Sequence, residues 1–242
     1  MFDPFGDYET AGYLRNVEKL KNSEIIKIQE HVFFEANLED AIAYLKTING
    51  PIAYDHFLKV HQILFGEFYP WSGQDRHMLG VGRLISKGQH IQFEAAESCR
   101  RAVEWGLEMG NDVKTMQAKP GTVMGMFAWG HPFLDGNGRT MLLVHTELCS
   151  RADFSIDWQS SVKGSYLQSL TQEIQSPGKG ILDAYLKPFV RPHQSIQHWA
   201  ESIKAIPGLD GNSNAMPNIV YLNSDAEANK RYEEFKRMRQ EN

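Results

Sequence analysis

Apolar residues recur with a helical period along much of this chain. Within residues 23–48 they fall at Ile25, Ile28, Val32, Leu38, Ile42 and Leu45, a spacing that predicts one long helix or two joined at a kink. Pro51 stops it, because proline has no N–H to continue the ladder. Phe57, Val60, His61, Leu64 and Phe65 mark a shorter helix over 54–66. Helical patterns return over 94–109 and over 120–129, where Pro120 suits a first turn. Others follow over 137–151, 162–175, 181–190 and 195–206.

Between 69 and 93 the pattern changes. Pro70, Gly73, Gly80, Gly82 and Gly88 break any helix. Leu84-Ile85 and Ile91-x-Phe93 flank Ser86-Lys87-Gly88-Gln89, which has the composition of a hairpin turn. So small a ribbon is marginal alone and needs support from helices. Residues 207–223, rich in Gly, Asn and Ser at their start, read as a linker. Ser224-x-x-Glu227 then forms a capping-box pattern that opens a charged helix over 224–242. Its apolar stripe, Tyr232, Phe235 and Met238, is narrow. That predicts a solvated terminal helix lightly docked on the body, with a partner-binding helix as the alternative. The expected class is all-α with a small β-hairpin flap.

Composition narrows the function. A chain of 242 residues with 42% hydrophobic content can fill one core and carry a small appendage. A net charge of -5 argues against general affinity for nucleic acid, whose phosphates attract basic surfaces. Cys99 and Cys149 are too far apart for a metal knuckle. No apolar stretch approaches the roughly 18 residues that span a bilayer, and the opening residues lack the apolar centre of a signal peptide. The expectation is a cytoplasmic protein without membrane contact, and export by a specialised secretion machine is compatible with the same sequence.

The chemistry is concentrated in His131-Pro132-Phe133-Leu134-Asp135-Gly136-Asn137-Gly138-Arg139. Gly136 and Gly138 open backbone conformations closed to other residues, and Asn137 tolerates the left-handed region. Placed just before a helix, they can turn several N–H groups inward as an anion-binding nest, reinforced by the helix dipole. Arg139 in the first helical turn opposes that dipole, at a cost of about 0.3–1 kcal/mol, unless an anion binds there. Asp135 could hold Mg²⁺ between phosphate oxygens. Pro132 fixes the chain direction after His131, and Phe133 anchors the loop in the core. The His131 imidazole is suited to removing a hydroxyl proton at neutral pH. Singly, these residues also fit a capped interhelical turn. Together they describe phosphoryl or nucleotidyl transfer.

The string resembles the Fic-domain motif H-P-F-x-(D/E)-G-N-G-R-x-x-R, and the match runs unbroken from His131 through Arg139. Upstream, residues 57–66 followed by Tyr69-Pro70-Trp71-Ser72-Gly73 and Arg76 are similar to the family's helix and "YPWAG…R" segment. The resemblance implies a catalytic domain over 1–206, with its core at about 38–190. It implies transfer of AMP from ATP to a Ser, Thr or Tyr hydroxyl of a target protein, releasing pyrophosphate. His131 would be the base, Asp135 the Mg²⁺ ligand, and Gly136, Asn137, Gly138 and Arg139 the phosphate cradle. The flap, Leu84, Ile85, Ser86, Lys87, Gly88, His90 and Ile91, would hold the target as an added strand.

The motif's second arginine is replaced by Leu142. In the family that arginine holds the terminal phosphate and pairs with an inhibitory glutamate. Its loss leaves open another donor or group, such as UMP, GMP, phosphoryl or phosphocholine, and also a weakly catalytic binding module of a toxin–antitoxin pair. No complete (S/T)-x-x-x-E-(G/N) inhibitory pattern occurs. Ser169-x-x-x-Glu173 comes nearest, so a separate antitoxin-like protein is a further expected partner. His61 reads as a packing or polar surface residue, His145 as a packing residue, and Trp71 as a core aromatic behind the site.

Overall fold

The computed structural model describes residues 2–88, 91–193, 199–206 and 218–241. After a short helix α1 (Tyr8–Ala11), the long α2 (Ser23–Thr47) runs unbroken, its first turn capped by the Asn22 side chain on the Glu24 and Ile25 N–H groups. Helices α3 (Tyr54–Phe65) and α4 (Arg76–Leu79) lead into strands β1 (Leu84–Lys87) and β2 (Ile91–Gln92). Then come α5 (Ala96–Asn111), α6 (Val113–Ala118), α7 (Pro120–Gly130) and α8 (Asn137–Arg151). A second small sheet pairs β3 (Phe154–Ile156) with β4 (Val190–Pro192), and α9 (Lys163–Gln175) and α10 (Ile181–Leu186) lie between them in sequence. The chain closes with α11 (Trp199–Lys204), β5 (Asn218–Tyr221) and α12 (Ala226–Glu241).

Helix α7 is central. Nine of its residues are buried, with α5, α8, α9 and α10 around it. Its first turn is capped from a distance: the Asp183 carboxylate of α10 accepts the Gly121 N–H at 2.6 Å, the Thr122 N–H at 3.0 Å and the Thr122 hydroxyl at 2.7 Å. Helices α2 and α3 pack together and cover α8. The loop between α7 and α8 therefore starts and ends on the most buried elements of the molecule, which fixes its position.

Two expectations change. The buried face of α2 is Ile26, Glu30, Phe34, Leu38, Ala41, Ile42 and Leu45, while Ile25, Ile28 and Val32 are exposed. A charged residue lies within the core-facing stripe and masks it in the sequence. Of the expected linker over 207–223, residues 207–217 lie outside the described residues, the remainder contributes a strand, and the terminal helix is more than lightly docked. Residues 218–221 form β5, which pairs antiparallel with β1 from Leu84↔Tyr221 to Lys87↔Asn218, so the flap is a three-stranded sheet ordered β2-β1-β5. Helix α12 buries Ala228, Tyr232 and Phe235, while Met238 stays exposed. Its Tyr232 hydroxyl donates to Glu94, Asn229 accepts from Arg83 at 2.7 Å, and Arg239 lies 3.8 Å over the Trp129 ring. Burial of two aromatics, at about 1.5–3 kcal/mol each, is what draws this helix onto the body.

Candidate active site

Helix α7 ends at His131, whose backbone is left-handed at φ 41° and ψ 56°. A non-glycine residue there costs about 1 kcal/mol and persists only where its surroundings hold it. They do so here. The His131 ring stacks on Phe93 at 3.8 Å and 9°, and its carbonyl accepts from Arg76 Nε at 2.8 Å. Its Nε2 is buried and has no hydrogen-bond partner among the described residues. Burial, then the positive charges of Arg76 and Lys87, hold the His131 pKa well below the usual histidine range. The site thus has a neutral imidazole with an unused nitrogen.

The turn itself is braced from within. Asn137 Oδ1 accepts the Phe133 N–H at 2.9 Å and its Nδ2 donates to the Phe133 carbonyl at 2.8 Å. The Asn137 side chain is therefore committed to the loop, and only its backbone N–H is available to a ligand. Phe133 is fully buried and stacks on Phe57 at 5.9 Å. Pro132 offers its carbonyl to the Arg76 N–H at 2.8 Å. Gly136 has φ +74°, and a Cβ there would lie 2.6 Å from Phe65 Cε2, so glycine is needed for both conformation and space. Above Gly138 a Cβ would meet nothing within 4 Å. That glycine is free of any packing demand, and the space over it adjoins the first-turn N–H groups of α8, which helix geometry leaves without intrahelical partners.

Charge completes the picture. Asp135 is partly exposed, its Oδ1 accepting the Gly136 N–H at 2.7 Å and lying 4.0 Å from Arg139. Arg139 lies 4.7 Å over the Phe65 ring and pairs with Glu30 of α2. Burial raises the Glu30 carboxyl to about 8, against the pull of Arg139. Leu142 is buried in the core and brings no charge to this place.

Three residues that organise the site were not identified as such in the sequence. Glu30 is 109 positions from Arg139 and carries no local signature. The Arg76 guanidinium, wholly buried, donates to the carbonyls of Gly82 at 2.6 Å, Glu94 at 2.8 Å and His131 at 2.8 Å, and more weakly to Arg83 and Gly130 at 3.3 Å. It ties both ends of the flap to the loop between α7 and α8. His61, read as a packing or polar surface residue, contacts the Asp135 carbonyl of the loop through Nε2 and the Gly73 N–H through Nδ1. By contrast Glu173 is occupied elsewhere, accepting the Gly178 N–H at 3.3 Å and the Leu182 N–H at 3.1 Å. His145 is a core residue whose Nε2 meets the Pro120 carbonyl at 2.8 Å.

The flap lies over this loop with less free surface than expected. Leu84, Ile85 and Ser86 are buried, the outer side of β1 is closed by β5, Gly88 turns at φ +62°, and Ile91 packs on the core. Lys87 alternates with Ser86 and lies close enough to His131 and Asp135 for their charges to interact. His90 lies outside the described residues.

Residues 51–149 match the profile of the Fic/DOC family. Over 166 residues the chain is 29% identical to the protein adenylyltransferase VbhT of Bartonella schoenbuchensis, covering 64% of this chain and 32% of that protein. The chain thus spans about a third of the length of that relative. It is 24% identical over 157 residues to the probable protein adenylyltransferase y4lH of Sinorhizobium fredii, covering 62% of this chain and 77% of that protein. The structure superposes on the N-terminal Fic domain of a VirB-translocated Bep effector of Bartonella quintana with bound ADP, at a TM-score of 0.62 and 17% identity. That likeness covers 78% of this chain and 96% of the other, and it establishes the all-helical Fic fold.

Proposed function

We propose, from the premise that residues 51–149 form a Fic/DOC-family domain, that this chain transfers AMP from ATP to a hydroxyl side chain of a target protein and releases pyrophosphate. The observation that carries this reading is that the loop from α7 into the first turn of α8 holds both a buried, unpartnered His131 Nε2 and, at Gly138, a position where a Cβ would meet nothing within 4 Å. The activity for which the two relatives are named and the ADP in the Bartonella quintana domain support it.

In this reading the first-turn N–H groups of α8 and Arg139 hold the phosphates. His131 accepts the hydroxyl proton as the target oxygen bonds to the α-phosphorus. The bond from that phosphorus to the β-phosphate oxygen breaks, and its electron pair leaves with pyrophosphate. The N–H groups and Arg139, already oriented, stabilise the charge that builds there. The imidazolium then returns its proton to solvent.

Magnesium fits only as an ion shared with the phosphates. Among the described residues no three His, Cys, Asp or Glu groups gather to hold a metal. Asp135 offers one carboxylate, and Mg²⁺ is commonly held by one or two carboxylates and the substrate's phosphates. Bound there it would neutralise phosphate charge. The target segment would add along the edge of β2 away from β1, because β5 already fills the other side of the sheet. No helix among the described residues is long and apolar enough to cross a membrane. The cytoplasm is the location we propose, and export by a specialised secretion machine is compatible with the same reading. Control by a separate inhibitory protein is part of the same proposal.

Incubation of the protein with α-labelled or γ-labelled ATP, in a lysate supplying hydroxyl targets, tests the reaction. Label from the α-phosphate alone is expected in protein bands. Incorporation of γ-label, or of neither, overturns AMP transfer, and GTP, UTP or CTP labelling in its place would assign the donor that Leu142 selects. The pH profile follows from the lowered His131 pKa: the base is neutral above that value, so activity falls only as pH drops well below 6.5. A half-loss of kcat/KM near pH 6.5 or above contradicts it. Ionised above about pH 8, Glu30 offsets the charge of Arg139, so at about pH 9 Glu30→Gln, which keeps a hydrogen-bond acceptor, is expected to tighten ATP binding by about fivefold, or about 1 kcal/mol, with a smaller effect at about pH 7. Calorimetric titration reads this directly, and weaker binding would show that Glu30 serves only to orient Arg139.

A further inference from the structure

We propose that His61 is a positioning residue that sets the direction of the Asp135–Gly136 peptide and so opens the phosphate-binding turn. If the loop holds a nucleotide's phosphates, as proposed above, His61 gives it the shape to do so. The imidazole is fully buried on α3 and takes no part in the chemistry described so far.

Its protonation state is fixed by geometry. The Gly73 backbone N–H can only donate, and it points at His61 Nδ1 at 2.9 Å. Nδ1 therefore accepts, and the ring proton resides on Nε2. Nε2 lies 3.1 Å from the Asp135 carbonyl oxygen, so it donates to that oxygen. Burial pulls the His61 pKa down to about 3, which keeps this neutral tautomer throughout the working range. The ring cannot swing away. It is stacked on Phe133 at 3.7 Å and 14°, with Trp71 at 5.7 Å.

The consequence lies in the planarity of the peptide bond. In a trans peptide the C=O and the following N–H point to opposite sides. With the Asp135 C=O drawn inward to His61, the Gly136 N–H must face outward, where it meets the Asp135 carboxylate at 2.7 Å. Gly136 packs directly on the same imidazole, since a Cβ there would lie 3.0 Å from His61 Nε2. A glycine with φ +74° can reorient its flanking peptides at little steric cost, so the turn needs an external constraint. Among the described residues, His61 is the side-chain donor to the Asp135 carbonyl. The chain order is thus α3, then the loop, then ligand: a helix far upstream orients the amides that start α8.

Two replacements separate positioning from packing. In His61→Asn the short amide can still meet the Gly73 N–H, but it cannot reach the Asp135 carbonyl. In His61→Gln the longer side chain can place an amide N–H at the position of Nε2. Both lose the aromatic stack, so both should melt at lower temperature than the parent and close to one another. Binding of the non-hydrolysable analogue AMPPNP is expected to weaken about tenfold in His61→Asn, the scale of one hydrogen bond to a buried carbonyl. His61→Gln should recover to within about threefold of the parent. Amide hydrogen exchange at Gly136, read without nucleotide, should accelerate in His61→Asn and stay slow in His61→Gln. Unchanged exchange and affinity in a folded His61→Asn protein, or equal losses in both variants, overturn the proposal. If the parent does not bind AMPPNP, the nucleotide reading fails by itself, and Gly136 exchange still decides whether His61 orients the peptide.

Discussion

Replacing His131 by alanine is expected to lower AMP transfer by about 10³-fold while leaving the fold and ATP binding in place. A positioned general base contributes about 10²–10⁴-fold, and His131 is the histidine of the loop that leads into the first turn of α8, its Nε2 without a partner among the described residues. Stability should change little, because opposing effects meet at this residue. Alanine retains the left-handed backbone cost and loses the Phe93 stack, yet it also removes a buried nitrogen without a partner. The proposed phosphate contacts lie on α8 and are untouched. Initial rates, circular dichroism melts and ATP titration on one sample separate these effects. Transfer at more than a tenth of the parent rate would remove His131 from the role of base.

The largest loss of stability is expected at Arg76. Arg76→Met keeps much of the volume and deletes the donors to five carbonyls, those of Gly82, Arg83, Glu94, Gly130 and His131. A buried acceptor left without a donor costs about 1–3 kcal/mol. The three contacts at 2.6–2.8 Å are the strong ones. Against this, burial disfavours the charged guanidinium and lowers its pKa, so removing the charge returns part of the loss. A net destabilisation of about 3–5 kcal/mol follows, or about 6–20 °C in melting temperature for a chain of this size. The flap should loosen first, since both its ends hang on this one side chain. A melt within about 3 °C of the parent would show that the carbonyls find other donors or water.

These two residues differ in how the sequence reveals them. His131 sits inside a nine-residue string whose parts each have local chemical meaning, so the site was legible before any coordinates. Helix α8 was legible for the same reason: two glycines, an Asn and an apolar period define Asn137–Arg151 from within. Arg76 appears in the motif upstream, but its partners span residues 82–131 and are backbone atoms, which leave no mark on residue identity. The Glu30 ion pair, the two contacts of His61 and the pairing of β5 with β1 are likewise long-range. Strand β5 is four residues long and follows a Gly-, Asn- and Ser-rich stretch, so its composition argued for a linker. In α2 the apolar pattern was displaced by one face in its first half, because the core there accepts a carboxylate that an arginine of α8 neutralises. Local pattern predicts elements well where burial is apolar. It fails where a buried charge finds its partner across the fold.

The C-terminal segment also changes how the flap should be understood. Its β1 strand has a neighbour on each side, and Ala228 and Tyr232 of α12 share a buried cluster with its Leu84. A target strand docking as proposed would meet a sheet in which β1 is already paired on both sides, leaving the outer edge of β2.

A crystal structure with AMPPNP and Mg²⁺ tests the central claim most directly. Phosphate oxygens are expected within hydrogen-bond distance of the backbone N–H groups at 137–139 and of Arg139, with His131 Nε2 facing the space beside the α-phosphate. A nucleotide bound elsewhere, or none at saturating concentration while Arg139 still pairs with Glu30, would contradict the account.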